Sequence, residues 1–204
     1  MNGGSLLIQG WAGVGKSYYA QGLVERLRSL KKKVTVISKT HVASSRIQGC
    51  TADSFVRRKI LAGTVNIDCL WVDEISQLDI GLWAQIAKLQ FLKKPIQFIF
   101  SGDRDQLGAV ANSWRSVVVE DQAFWDSDML HAMTGFKIEL RECLRSDKVL
   151  FEAYSRLPAL YGSDNMSEII QSYREQFPFI EATPNNLCIS HEMRIQINWR
   201  EAYD

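Results

Sequence analysis

Gly10-Trp-Ala-Gly13-Val-Gly15-Lys16-Ser17 fits the pattern G-x-x-x-x-G-K-[ST], and its flanks give that pattern physical meaning. Before it, Ser5-Leu-Leu-Ile-Gln9 reads as a short buried strand. After it, Ala20, Leu23, Val24, Leu27 and Leu30 recur at helical spacing, and Lys31-Lys-Lys33 closes the segment where cations suit a helix dipole. Glycines let backbone N–H groups wrap a phosphate, and the helix N-terminus adds potential that favours an anion. The expectation is a triphosphate-binding loop formed by Gly10, Gly13, Val14, Gly15, Lys16 and Ser17. Lys16 would reach the β/γ-phosphates and Ser17 would ligate Mg2+.

Further strands are expected at the apolar runs Val34–Ser38, Ile67–Val72 and Ile96–Phe100, and a fifth at Lys137-Ile-Glu-Leu140. Helical stretches separate them, near Leu82–Leu92 and from Lys148 to Leu157. Strands alternating with helices predict an α/β fold, a parallel sheet covered on both faces. In such sheets ligands gather at the carboxyl ends of the strands. The Gly-rich loop, Asp73-Glu74 and Gly102-Asp103 each follow a strand end, so three polar motifs should share one edge.

Leu70-Trp-Val-Asp73-Glu74 is an apolar strand ending in two acids. Beside a phosphate loop, Asp73 is placed to hold Mg2+, and Glu74 to orient or deprotonate an attacking water. In Ser101-Gly-Asp103-Arg-Asp105-Gln106, Gln106 is a candidate sensor of the γ-phosphate; an ordinary surface turn is the other reading.

The 204 residues carry 24 Lys+Arg against 23 Asp+Glu, a formal charge of +1, so no global basic field points to nucleic acid. Hydrophobic residues make up 46% and charged residues 23%, as in globular proteins. Cys50, Cys69, Cys143 and Cys188 form no C-x-x-C pair, and with His41, His131 and His191 they show no metal-ligand spacing. Reduced thiols in an intracellular, cytoplasmic protein are expected, without a membrane span and without a metal other than Mg2+.

The ordered motifs together resemble superfamily 1 helicases, most closely the RecD-like and phage Dda-like branch that moves 5′→3′ on DNA. Gly10–Ser17 is similar to motif I. Lys39-Thr40-His41-Val-Ala43, continuing to Thr51-Ala-Asp-Ser54-Phe55, is similar to motif Ia and the element after it. Trp71–Ser76 resembles motif II, Gly102–Val110 motif III, and Leu140-Arg-Glu-Cys-Leu-Arg145-Ser-Asp motif IV.

The resemblance implies a RecA-like P-loop NTPase domain over residues 1–157, a helical connector over 158–186, and the first strand and helix of a second RecA-like domain over 187–204. It implies an ATP-dependent helicase or translocase with ATP and Mg2+ at the site and single-stranded DNA, or RNA, as partner. Lys16, Glu74, Gln106 and Arg145 would be catalytic, Arg145 through the γ-phosphate. Thr40, His41, Thr51 and Ser54 would lie along the nucleic acid, holding phosphates without reading sequence. For His41 an ordinary loop histidine is an equal reading. Phe55 and Trp114 are aromatic enough to stack on bases, worth about 1–3 kcal/mol each, but core packing is the preferred reading for both.

The sequence departs from the family pattern in several places. Met1–Gly4 leaves no room for the glutamine motif that reads adenine, Asp53 replaces a histidine, and Gly108-Ala109 replaces prolines. The segment between Phe55 and the motif II strand is short, so an inserted β-domain is expected to be minimal. The later motifs, including a trans-acting arginine, do not occur within 204 residues, and a longer protein is expected. The 204 residues alone should then bind nucleotide and hydrolyse it slowly. A small-molecule kinase or a nucleotide-binding scaffold is the alternative class.

Overall fold

The computed structural model describes residues 4–110, 112–160 and 165–178, together with 192, 195 and 196. Two compact units divide the chain, residues 1–155 and 156–204. The first is built on β1 (Leu6–Gly10), β2 (Val34–Ser38), β3 (Cys50–Thr51), β4 (Cys69–Asp73), β5 (Gln97–Gly102) and, late in the unit, a strand at Phe136–Leu140. A separate hairpin pairs β6 (Ser113–Trp114) with β7 (Val117–Val118), which makes Phe136–Leu140 β8.

Among the described residues these strands form a six-stranded sheet in the order β3-β2-β4-β5-β1-β8, and every pairing within it is parallel. This is the α/β, doubly covered sheet expected from the alternation of strands and helices. Parallel strands joined by crossovers bring all their carboxyl ends to the same edge.

The period-two alternation along the strands sorts the core onto two faces. Leu7, Leu70, Val72, Phe98 and Phe100 face one cluster, where Trp83 packs edge-on against Phe100 and Phe124. Ile8, Val36, Cys69, Trp71 and Ile99 face the other, beneath Ala20 and Val24 of α1 (Lys16–Ser29). Burial holds the Cys69 thiol un-ionised, its pKa pushed up to about 12.

After β2 come α2 (His41–Arg46) and α3 (Ala52–Phe55), continued by a π-helical turn over Val56–Ile60. The helix expected near Leu82–Leu92 is α4 (Ile80–Ala87), followed by a 3₁₀ turn over Lys88–Phe91. Asp79 sets its start by accepting the Leu82 N–H at 3.0 Å. Two short helices, α5 (Asp121–Trp125) and α6 (Asp128–Met133), precede β8. Next, α7 (Lys148–Leu160) begins in the first unit, and α8 (Met166–Gln176) lies in the second. The expected strand at 187–190 falls outside the described residues, as does most of the helix expected over 193–203. Among the described residues no helix is long and apolar enough to cross a membrane.

Phe55 is buried, as the core reading had it, but Trp114 corrects that reading. It is 48% exposed on β6, because Arg115 and Ser116 both take left-handed backbone angles and close a two-residue ladder outside the main sheet.

Candidate active site

Six strand tips supply the polar residues of one edge. From β1 the chain turns into the Gly-rich loop, whose glycines are fixed by close approach. Gly10 has φ +149°, and a Cβ there would stand 2.3 Å from the Leu140 carbonyl oxygen of β8. Gly13 has φ +86°, and a Cβ there would meet Cys143 Sγ and the Arg145 Cβ at 3.0 Å each. The loop is thus packed against the segment that follows β8. The Leu144 N–H donates to the Gly13 carbonyl at 3.0 Å, and the Tyr154 hydroxyl of α7 donates to the Ala12 carbonyl at 2.9 Å.

Lys16 is buried and donates to the carbonyls of Gly10 at 2.8 Å and Trp11 at 3.0 Å. Burial lowers its pKa, while Asp103, Glu74 and Asp73 push the other way. Three carboxylates therefore surround one lysine. Ser17 donates to the Asp73 carboxylate at 3.0 and 3.2 Å. A hydroxyl and a carboxylate at this separation are hard oxygen donors of the kind Mg2+ accepts beside phosphate and water, so the pair fits that ion.

Glu74 follows β4 in a left-handed conformation, φ 54° and ψ 52°, which is costly for a residue bearing a Cβ. Among the described residues its buried Oε2 has no hydrogen-bond partner. Burial raises the carboxyl pKa, Asp73 adds to the rise, and Lys16 opposes it. A strained, half-buried carboxylate with one buried, unpaired oxygen beside a glycine-rich loop has the properties of a base held ready.

Beyond β5, the buried Asp103 accepts the Asp105 N–H at 3.0 Å and a hydrogen bond from the Gln106 side chain. Gln106, Glu74 and Arg145 border the same cavity of about 200 Å³ as Gly13, Lys16 and Ser17. Every catalytic and loop candidate read from the sequence is therefore at this edge, with Arg145 exposed on its rim.

The nucleic-acid candidates follow the tips of β2 and β3. Thr40 accepts the Ala43 N–H at 3.2 Å and Thr51 the Ser54 N–H at 3.3 Å, so both hydroxyls cap helices. Thr40 and His41 are exposed, whereas Thr51 is buried. Lys39 bridges Asp79 at 2.9 Å and Asp53 at 3.3 Å. Although partial burial disfavours its charge, these two partners raise its pKa.

Sequence reasoning missed Ser101, Cys143 and Tyr154. Ser101 donates to Asp73 Oδ1 at 2.6 Å, and Cys143 lies 3.4 Å from the Tyr154 hydroxyl and 3.2 Å from the Ser146 hydroxyl. The bonds from Ser146 and Tyr154 bring the Cys143 pKa down to about 6. A periodicity argument reads Ser101 as one more inward strand residue, and no local pattern links position 143 to position 154.

Residues 2–124 match the family described as AAA domain. The chain belongs to that family. Among the curated proteins none matches it. The AAA domain is similar in fold to the Pif1 helicase of Candida albicans, with a TM-score of 0.73 and 20% identity over 98% of this chain and 51% of that one. It is also similar to a Bacteroides Pif1 helicase in complex with ADP-AlF3 and single-stranded DNA, with a TM-score of 0.69 and 18% identity over 98% of this chain and 53% of that one. The chain spans about half the length of these solved relatives, and its sheet is the RecA-like P-loop fold that they contain.

Proposed function

We propose that this AAA domain is the ATP-binding RecA-like part of an intracellular superfamily 1 helicase or translocase that works on single-stranded DNA. The observation that carries the reading is Glu74, a half-buried, backbone-strained residue whose buried Oε2 has no hydrogen-bond partner among the described residues, sharing a cavity with Lys16, Gln106 and Arg145. The Bacteroides relative's complex with ADP-AlF3 and single-stranded DNA supports both ligands.

In this reading the backbone N–H groups of Gly13, Val14 and Gly15 hold the phosphates. Lys16 exchanges its two carbonyl acceptors for phosphate oxygens. Ser17 and Asp73 hold Mg2+, which when bound neutralises charge on the phosphates. Glu74 orients the attacking water and takes its proton as the water oxygen bonds to the γ-phosphorus and the bond to the ADP oxygen breaks. Arg145 stabilises charge spreading onto the γ-phosphoryl oxygens, and Gln106 senses whether that group is present. Thr40, His41, Thr51 and Ser54 line the nucleic-acid path through backbone and hydroxyl groups. Thr51 does so through its backbone, because its hydroxyl is committed to a helix cap. Residues 158–186 act as a connector, and 187–204 open a second RecA-like domain. Residues 1–204 by themselves bind nucleotide and turn it over slowly.

ATP turnover measured with and without single-stranded DNA tests the reading. Stimulation by DNA supports a motor. Stimulation by a small phosphate acceptor instead would move the protein to the kinase class, and no turnover in any condition would leave a nucleotide-binding scaffold.

A further inference from the structure

Trp71, Ser101 and Asp73 form a hydrogen-bonded line beneath α1 that the fold does not demand. Alternation places Trp71 and Asp73 on the same face of β4, and the pairing of Val72 with Phe100 sets Ser101 of β5 beside Asp73. The Trp71 indole Nε1–H donates to Ser101 Oγ at 2.7 Å, and Ser101 Oγ donates to Asp73 Oδ1 at 2.6 Å. All three side chains are buried.

The direction of this line is fixed by chemistry. An indole N–H only donates, a carboxylate only accepts, and a serine hydroxyl has one proton. Ser101 therefore spends that proton on Asp73 at 2.6 Å, in preference to the Val72 carbonyl at 3.5 Å, while its lone pair takes the indole. Each bond polarises the next, and the line is dry, which strengthens both. The second partner of Asp73 is different. Ser17 reaches both carboxylate oxygens at 3.0 and 3.2 Å, longer bonds that must be exchanged when the Ser17 lone pair turns to a cation. Ser101 faces no such exchange, because it stands on the neighbouring strand and does not border the phosphate cavity.

A role in folding alone does not account for the line. Among the described residues the indole N–H of Trp83, also fully buried, has no hydrogen-bond partner, so this core accommodates a lone indole donor. The terminal torsion of an aspartate is soft and two-fold, so without Ser101 only the longer Ser17 bonds, which are exchanged when a cation binds, would hold the carboxylate's rotation.

We propose that Ser101, backed by Trp71, is a positioning residue that locks Asp73 with Oδ1 engaged and Oδ2 presented to the divalent cation; the inference rests on the reading of Asp73 as a metal ligand. Residues that orient metal ligands in this way typically contribute 10–100-fold to metal affinity.

The probe is Mn2+ in the presence of ADP, followed through the electron paramagnetic resonance signal of the free ion. The chains compared are the wild type, S101A, the isosteric poor donor S101C and W71F. S101A and S101C should weaken Mn2+ binding by about 10–100-fold while metal-free ADP affinity stays unchanged, and W71F should give a smaller loss in the same direction. S101C and W71F keep the core filled and carry the test should S101A fail to fold. Wild-type Mn2+ affinity in the folded serine variants would overturn the inference, as would equal losses of Mn2+ and of metal-free ADP. Failure of the wild type itself to form the Mn2+–ADP complex would instead overturn the nucleotide-binding reading.

Discussion

Glu74 combines three costs that a folding protein has no reason to accumulate at one position: left-handed backbone, burial, and an oxygen without a partner. Its pKa is raised in the folded state, chiefly by burial. A raised carboxyl pKa contributes stability that is complete below the unfolded value and is lost as pH rises through the folded value. Above the unfolded value the group therefore progressively costs stability in the free protein. Glu74→Gln should raise the melting temperature of the nucleotide-free protein at pH 7.5, with the gain shrinking towards pH 4, as thermal melts across that range would register. The same change should preserve nucleotide binding and slow turnover by about 10²–10⁴-fold, the usual worth of a positioned base. Loss of binding with turnover per bound nucleotide preserved would contradict the role given to Glu74.

At the scale of elements, the loop after β1 is pinned from one side by the segment after β8 and by α7. Tyr154→Phe removes the bond to the Ala12 carbonyl and should cost about 0.5–1.5 kcal/mol in urea unfolding, with weaker nucleotide binding as the loop loosens. The same network predicts thiol chemistry. Cys143, with its pKa near 6, should be alkylated by iodoacetamide in neutral buffer, whereas the buried Cys69, near 12, should resist. A pH profile of Cys143 labelling should have its midpoint near 6 in the wild type and higher in Tyr154→Phe, which loses one of the two stabilising hydroxyls. Mass spectrometry of the labelled peptides would distinguish the sites. Gly13→Ala should be worse than Tyr154→Phe, because φ +86° disfavours a Cβ and the contacts to Cys143 and Arg145 leave it no room.

Across the whole molecule, what was legible in the sequence is what depends on short-range pattern. Apolar runs located β1, β2, β4 and β5 because a strand covered on two faces is largely apolar, whereas the exposed edge strand β8, Phe-Lys-Ile-Glu-Leu, showed only as a short alternation. Motif spacing located Lys16, Asp73, Glu74 and Gln106 because each lies at the end of an apolar strand or in the loop that leaves it. The strand β3 was missed, since two residues carry no period, and so was the β6–β7 hairpin, whose turn of Arg115 and Ser116 lacks the glycine or asparagine that marks such turns. Trp114 was misread because aromatic character alone favours a core, and only topology shows that its strand lies outside the main sheet and leaves it half exposed. Ser101 and Tyr154 escaped for a related reason. Their partners lie 28 and 142 residues away along the chain, and no local spacing encodes a neighbour across a sheet.

The central claim is that the tips of β1, β4 and β5 meet around one magnesium-bound triphosphate. Calorimetric titration of the 204-residue chain with a non-hydrolysable ATP analogue in Mg2+ tests it, with Lys16→Ala alongside. Binding by the wild type and loss of at least about 100-fold in Lys16→Ala, a difference of nearly 3 kcal/mol, is the predicted result. Equal affinity in the two proteins would contradict the account.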